Sequence, residues 1–235
     1  MLGEAQLKYG HVQNSHLPIF DKEAMFELTS LASPFLKWAG GKSKLLQAIK
    51  VKYPYCRLDS ITKYAEPFVG GGAVLFDVLN KFDFKDVFIS DINKKLIDTY
   101  IFIRDEVEDL IDRLLFLQNE YLSLGAIERK LYYFDKREAF NRLKGSDSSQ
   151  LETAALFIFL NQTCFNGLYR VNLEGEFNTS KGSDKGLLIC DEDNLRAVSR
   201  KLKQVQIVHG DYRVASSFID GGTFAYFDPP YRPLP

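Results

Sequence analysis

The clearest candidate chemistry in this 235-residue chain lies close to its last residue, in the run Tyr226-Phe227-Asp228-Pro229-Pro230-Tyr231. The apolar stretch Thr223 to Phe227 leading into it reads as a buried strand. The prolines end that strand, because proline donates no amide hydrogen and holds the residue before it in extended geometry. Asp228 is therefore expected at a stiff strand end. Its carboxylate and the neighbouring prolyl carbonyls are hydrogen-bond acceptors, and the flat face of Tyr231 is close by. Acceptors beside an aromatic plate suit a planar base that carries an amino group. An ordinary strand-to-loop exit explains the tetrapeptide equally well, so the rest of the chain has to decide.

Two further stretches bear on that choice. Ile61 to Ala65 reads as a strand, Glu66-Pro67-Phe68-Val69-Gly70-Gly71-Gly72 as a glycine-rich turn and Ala73 to Leu79 as a helix. Strand, glycine turn and helix form the first half of a doubly wound unit, which binds ligands at the carboxyl ends of its strands. The three glycines are expected to leave bare backbone for a ligand. A second strand, Asp86 to Ser90, ends at Asp91, about 20 residues beyond the glycines, where an acidic side chain takes the hydroxyls of a ribose. Asp91 also fits a helix cap, and the two roles are compatible. Glycine turn and distant acid together imply an adenosine-containing ligand.

The elements that position these residues follow from periodicity. From Leu96 to about Asn161 apolar residues recur at three-to-four spacing, including Ile97, Leu110, Ile111, Leu114 and Tyr121, which predicts helices carrying apolar stripes. This region reads as an insertion after the second strand. It ends in Asn166-Gly167-Leu168-Tyr169-Arg170-Val171-Asn172, with turn signals at Asn166-Gly167 and Glu174-Gly175 that predict hairpins. Asn and Gln suit adenine edges, Arg suits guanine, and aromatic side chains stack or wedge; plain hairpin packing remains the competing account. A polar loop, Thr179 to Gly186, offers Lys181 and Lys185 as candidates for phosphate contact. A helix over Asp191 to Lys203 with Leu195, Val198 and Leu202 inward precedes a strand, Val205 to His209, and His209 reads as an ordinary strand-end residue.

Between Ser33 and Leu58, Lys37, Lys42, Lys44, Lys50, Lys52 and Arg57 occur with no acidic residue. Such a run is usually a solvated face, but this one surrounds Trp38 and the Gly40-Gly41 pair. Gly41-Lys42-Ser43 is not a phosphate loop, since the glycine required five positions earlier is Leu36. Residues 1–32 read as peripheral, with a short helix from Asp21 to Leu31. A hydrophobic fraction of 46% fits a globular chain, and a net charge of −1 confines any nucleic-acid contact to local patches. No window has the apolar length of a membrane span and no secretory signal is evident, so a cytoplasmic location is expected. Cys56, Cys164 and Cys190 form no Cys-x-x-Cys pair and are expected to be packed, reduced thiols, with no metal site.

Taken in order, Lys37-Trp38-Ala39-Gly40-Gly41-Lys42, the Glu66 to Gly72 turn, Ser90-Asp91-Ile92-Asn93, the Asn166 to Asn172 segment and Asp228-Pro229-Pro230-Tyr231 resemble a Dam-type DNA adenine methyltransferase of the alpha arrangement. The resemblance spans Ser33 to Pro235. It implies an α/β, Rossmann-like methyltransferase sheet using S-adenosylmethionine, with an inserted, mainly helical DNA-recognition subdomain. The division it implies is residues 1–32 as an extension, 33–100 and 204–235 as catalytic domain, and 101–203 as the insertion. For the cofactor it implies Trp38, Lys42, Phe68, Gly70, Gly72, Asp91, Asp211 and Asp228; for duplex DNA, Lys37, Asn166, Leu168, Arg170 and Asn172; for catalysis, Asp228, Pro229 and Tyr231. The reaction implied is methylation of the exocyclic amine of a flipped adenine, with GATC as a candidate site.

Two departures qualify the resemblance. After Asn178 this chain reads Thr-Ser-Lys-Gly-Ser-Asp-Lys-Gly, where the family usually has a Val-Pro-aromatic-Gly-type segment. The family also continues with strands and helices after its Asp-Pro-Pro-Tyr strand, so a truncated chain, with a missing C-terminal portion as partner, is expected. A cytosine or RNA amino-methyltransferase and a non-catalytic DNA- or cofactor-binding fragment are the alternatives.

Overall fold

The computed structural model describes residues 31–38, 42, 45–143 and 150–230. Tyr231, the Gly40-Gly41 pair, Ser43, Lys44 and all but the last residue of the helix expected over Asp21 to Leu31 lie outside these residues. Four parallel strands, β1 (Lys63–Pro67), β2 (Asp86–Asp91), β3 (Val205–His209) and β4 (Thr223–Ala225), form one sheet in the order β3-β2-β1-β4. Ala65 stands opposite Phe88 on one side and Ala225 on the other. Chain order reverses between β1 and β4, and the crevice at the carboxyl ends of two such strands is where an open α/β sheet takes its ligand.

β1 and β2 are buried through most of their length, which is why Val87, Phe88 and Ile89 run without polar alternation. β4 differs from expectation. It is half-buried rather than buried, because β1 is its one strand neighbour among the described residues. The segment after it keeps the ladder going for one more bond, from Tyr226 N–H to the Ala65 carbonyl at 2.8 Å.

Before the sheet lies the short helix α1 (Leu46–Lys50), and α2 (Ala73–Leu79) links β1 to β2. Between β2 and β3 run α3 (Lys94–Asp105), α4 (Val107–Ser123), α5 (Ala126–Arg142), α6 (Gln150–Thr163) and α7 (Glu192–Leu202). Helices thus lie between the second and third strands, where the periodicity predicted them. α6 is not the striped helix that periodicity suggested. Every residue from Ala154 to Asn161 is buried, since α3, α4 and α5 all pack against it. A helix apolar on all sides belongs at the centre of its layer, and truncating Phe159 there to Ala is expected to cost about 3–5 kcal/mol. Leu195, Val198 and Leu202 face inward on α7, as their spacing predicts.

One of the two hairpins predicted in the insertion forms. Asn172 N–H bonds the Glu176 carbonyl at 2.9 Å and Asn178 N–H bonds the Arg170 carbonyl at 3.1 Å, so the chain reverses at Glu174-Gly175. Asn166-Gly167 instead belongs to a 3₁₀ turn, Phe165–Gly167, with both Asn166 (φ 54°) and Gly167 (φ 62°) left-handed. The turn is held by packing: a Cβ on Gly167 would lie 2.2 Å from Cβ of Lys37. Lys37, in turn, is clasped by Asn161, whose Oδ1 accepts from Lys37 N and whose Nδ2 donates to the carbonyls of Lys37 and Gly167.

Cys164 and Cys190 are buried thiols, but Cys56 is exposed, contrary to expectation, because it sits on the 3₁₀ turn Tyr55–Ser60. Lysines of the cationic run are partly structural: Lys50 reaches Asp77 at 2.9 Å, where Lys81 and Tyr53 also converge. Lys181 meets Asp184 at 2.8 Å, so the first of the two proposed phosphate lysines holds its own loop. Among the described residues no helix is long and apolar enough to cross a membrane.

Candidate active site at the switch point of the sheet

A cleft of about 920 Å³ opens at the carboxyl ends of β1 and β4. It lies within the size range of sites that enclose a small organic ligand. On its walls stand Trp38, Lys42, Phe68, Gly70, Gly72, Asp91 and Asp211, together with Asp228 and Pro229. All the described residues that the resemblance implied for cofactor and catalysis are thus brought to one place. Tyr231 lies outside the described residues.

The glycine turn is built in detail by its neighbours. Phe68 N–H and Val69 N–H both donate to the Ser90 carbonyl, at 2.9 and 3.1 Å, which ties the turn to the end of β2. Phe68 has φ 77°, a left-handed value uncommon for a non-glycine side chain, so the turn carries local strain beside the cleft. The bare backbone is used first by protein groups. A Cβ on Gly70 would come 2.9 Å from the indole of Trp38, and one on Gly72 would come 2.6 Å from the hydroxyl of Tyr100. Gly70, Gly71 and Gly72 line the cleft, and the missing Cβ atoms also admit Trp38 and Tyr100, with Trp38 forming part of the wall.

Asp91 is not the helix cap that the sequence allowed, because Asn93, two residues on, takes that place. Oδ2 of Asp91 accepts from Gly70 N–H at 3.1 Å and its Oδ1 from Asn93 N–H at 2.9 Å, while Asn93 caps α3 by accepting from Leu96 N–H. The carboxylate therefore sits locked between the glycine turn and the next helix. Asp211 caps the 3₁₀ turn Tyr212–Ala215 and is paired with the Arg213 guanidinium, which holds its carboxyl below the usual range. Tyr212, which sequence reading did not single out, stacks on Phe68 with ring centroids 5.8 Å apart and 24° between planes. Its position directly after Asp211 is the signal that could have drawn attention to it.

The reactive end of the cleft is electrostatically distinctive. Lys42 Nζ lies 2.5 Å from Asp228 Oδ2, so this lysine belongs to a largely buried ion pair and not to a solvated cationic face. Glu66, which the sequence presented only as the first residue of the turn motif, is 3% exposed and lines the same cleft. Tyr64 O–H donates to Glu66 Oε2 at 2.6 Å. Burial, reinforced by the negative charge of Asp228 and opposed by the Tyr64 hydrogen bond, pushes the Glu66 carboxyl up to about 8.

The residues implied for DNA occupy the neighbouring surface. Lys37, Asn166 and Arg170 are exposed, and Lys37 is packed directly against the turn that carries Asn166. Arg170 is folded onto Asn178 through Nε at 2.8 Å and Nη2 at 3.3 Å. Asn172 closes the hairpin tip, its Oδ1 accepting from Glu176 N–H at 2.8 Å. Leu168 is half-buried and its carbonyl accepts from Thr179 Oγ1 at 2.7 Å. Between Leu168 and Arg170, the ring of Tyr169 stacks on Trp38 at 5.8 Å and 14°.

The donor set fits an adenosyl-amino-acid cofactor. A fixed carboxylate at Asp91, an aromatic face at Tyr212, and acidic groups at Glu66 and Asp228 suit hydroxyls, a flat ring and positive charge respectively. Comparison with known proteins agrees with this geometry. Residues 38–235 match the model of the D12 class N6 adenine-specific DNA methyltransferases. The chain is 49% identical over 202 residues to the Type II methyltransferase M.MjaIII of Methanocaldococcus jannaschii, a match covering 86% of this chain and 70% of that protein. It is 35% identical over 203 residues to the Type II methyltransferase M1.LlaDCHI of Lactococcus lactis subsp. cremoris, covering 86% and 66%. With the DNA adenine methylase of Haemophilus influenzae it shares 34% identity over 201 residues, covering 86% and 64%. The chain thus spans about two thirds of the length of these relatives. The cleft, the parallel sheet and these matches together show that the chain belongs to the D12 class N6 adenine-specific DNA methyltransferase family.

Proposed function

We propose that this chain carries the catalytic centre for transfer of a methyl group from S-adenosylmethionine to the exocyclic amine of an adenine flipped out of duplex DNA. The observation that supports this most is the convergence of Asp91, the glycine turn and the Lys42–Asp228 pair in one cleft at the switch point. S-adenosylmethionine supplies a methyl group on a positively charged sulfur. Asp91 takes ribose hydroxyls, Trp38, Phe68, Gly70 and Gly72 enclose the amino-acid side with Lys42, and Asp211 stands beside the adenine ring, next to the face of Tyr212.

Lys42 occupies Oδ2 of Asp228, so Oδ1 and the Pro229 carbonyl are the acceptors assigned to the target amine. Drawing on the amine protons moves the nitrogen lone pair out of conjugation with the ring and toward the methyl group. In direct in-line transfer the nitrogen–methyl bond would form as the sulfur–methyl bond breaks, its electron pair staying on sulfur. The surplus amine proton would leave past Asp228 to solvent, and alignment of the two groups supplies much of the acceleration. A base inside a duplex is out of reach, so extrusion precedes transfer, at a cost of a few kcal/mol. Tyr231 is assigned to stack on the extruded ring. Lys37, Asn166, Leu168, Arg170 and Asn172 are assigned to the DNA, with Arg170 as the base-reading side chain, residues 101–203 serving as the recognition insertion and GATC as the first sequence to test.

Tritiated-methyl transfer to duplexes with and without GATC, to cytosine-only duplexes and to RNA tests the reading. Label confined to adenine-containing duplex DNA is expected. Label in RNA or cytosine, or binding of DNA and cofactor with no label anywhere, would overturn it.

A further inference from the structure

Glu66 is the acidic group of the cleft that the proposed reaction does not use. It sits at the carboxyl end of β1, two residues along the same face from Tyr64. Only 3% of it is exposed, yet it contributes to the cleft wall. One carboxyl oxygen accepts from Tyr64 O–H. The other titratable groups around it come from several elements: Tyr53 ahead of the 3₁₀ turn, Tyr100 on α3, Tyr226 after β4, and Asp228 beyond that. The hydroxyls of Tyr53, Tyr64 and Tyr100 are pushed upward by burial first, so these three are neutral. Lys42, which lines the same cleft, is bonded to Asp228. Glu66 is therefore a buried carboxyl facing a ligand cleft next to a second carboxylate whose lysine is already engaged.

We propose that Glu66 carries a proton in the ligand-free protein and gives it up when a sulfonium-bearing cofactor enters the cleft, so that cofactor binding is coupled to proton release. The inference rests on the cofactor assignment above. In the release the carboxyl O–H bond breaks, its electron pair stays on oxygen and the proton passes to buffer. The driving force is electrostatic. Burial and the Asp228 charge hold the carboxyl at about 8, and a positive charge arriving within about 4–6 Å lowers an acid by ~1–3 units. With a shift of ~2 units, roughly 0.8 proton leaves per cofactor bound at neutral pH. The demethylated product is a neutral thioether at sulfur and leaves more of the proton on Glu66. The site thereby prefers the sulfonium form over the product through a charge that it creates only when the sulfonium is present.

Calorimetric titration with S-adenosylmethionine and with S-adenosylhomocysteine, at neutral pH in phosphate and in Tris, measures this directly. The dependence of the observed heat on buffer ionisation enthalpy counts the protons released. Release near 0.8 proton is expected for S-adenosylmethionine, under half that for S-adenosylhomocysteine, and close to none for S-adenosylmethionine binding to Glu66→Gln. In the unmodified protein the release is also expected to vanish about two pH units above neutrality, where Glu66 is already ionised; this series decides the matter should Glu66→Gln not fold. Binding with equal release in wild type and variant, or release that persists in alkaline buffer, overturns the inference alone. If neither ligand binds the unmodified protein, the cofactor assignment falls and this inference falls with it.

Discussion

Lys42 Nζ and Asp228 Oδ2 meet at 2.5 Å, with the two side chains 10% and 23% exposed. Residues 186 positions apart in sequence thus join the end of β4 to the segment ahead of α1. Removing one partner of a largely buried pair leaves the other charge uncompensated. Lys42→Met is expected to destabilise the fold by about 1–3 kcal/mol, less than a fully buried pair because Asp228 keeps some solvent. Replacing both residues with apolar ones should recover most of the loss, and urea denaturation of the two single variants and the double variant measures the coupling. For the reaction, Asp228→Ala should still bind cofactor but lose methyl transfer by about 10²-fold or more. Undiminished turnover in that variant would remove Asp228 from the catalytic role.

Two glycines with similar backbone angles separate backbone strain from packing. Gly167 has φ 62° and Gly175 has φ 75°. A Cβ at Gly167 meets Lys37 at 2.2 Å, whereas one at Gly175 meets nothing within 4 Å. Gly175→Ala is expected to cost about 1 kcal/mol, the left-handed penalty alone. Gly167→Ala should cost at least ~2–3 kcal/mol, since Lys37 is clasped by Asn161 and has little room to move. Thermal midpoints of the two variants, recorded side by side, give the comparison, and equal losses would refute the packing argument.

Much of this site is legible in the sequence because it is built from backbone-dictating residues. Glycines marked the turn after β1, whereas β4 stops at Ala225, short of the Phe227 end that the prolines suggested. An acid at the expected distance identified Asp91. Side chains whose role depends on partners distant in the chain were not legible. Glu66 looks like any acid before a proline until β1 is buried on both faces, and Lys42 looks like one of a solvated cationic run until Asp228 meets it. Asn166-Gly167 carries a strong hairpin signal, yet the Phe165 to Gly167 segment packs on Lys37 and forms a 3₁₀ turn instead. Local propensity could not anticipate a contact made across the insertion.

Stability should fall as the pH rises past neutrality. The Glu66 carboxyl is held at about 8 in the fold and near 4.3 in the unfolded chain. Between those values the folded state binds the additional proton, so stability decreases with rising pH and levels off above about 8. Carboxylates with lowered values, such as Asp77, Asp105 and Asp184, act in the opposite sense: their contribution is present above the ordinary carboxylate range and is lost as pH falls through their folded values in acid. The two windows do not overlap near neutrality. Denaturation midpoints measured from pH ~5 to ~9 should decline in the wild type and stay nearly flat in Glu66→Gln; parallel curves would show that Glu66 is not the group responsible.

Tyr169 links the Asn166 to Asn172 segment to the cleft. Its ring stacks on Trp38, which presses on Gly70 and Gly71, and the Asn93 side chain beside its hydroxyl opposes the upward push of burial on that hydroxyl. Tyr169 stands between half-buried Leu168 and exposed Arg170, so one side chain of this segment supports the cleft wall through Trp38. An aromatic pair of this kind contributes about 0.5–1.5 kcal/mol beyond its buried area. Tyr169→Ala is therefore expected to weaken S-adenosylmethionine binding by roughly 3- to 10-fold although Tyr169 itself does not line the cleft. Tyr169→Phe keeps the stack and loses only the hydroxyl, so it should retain most of the affinity. Calorimetric titration of both variants, with circular dichroism to establish that each is folded, distinguishes the cases. Equal weakening by Phe and Ala would assign the effect to the hydroxyl, and no weakening by either would show that Trp38 keeps its place without the stack.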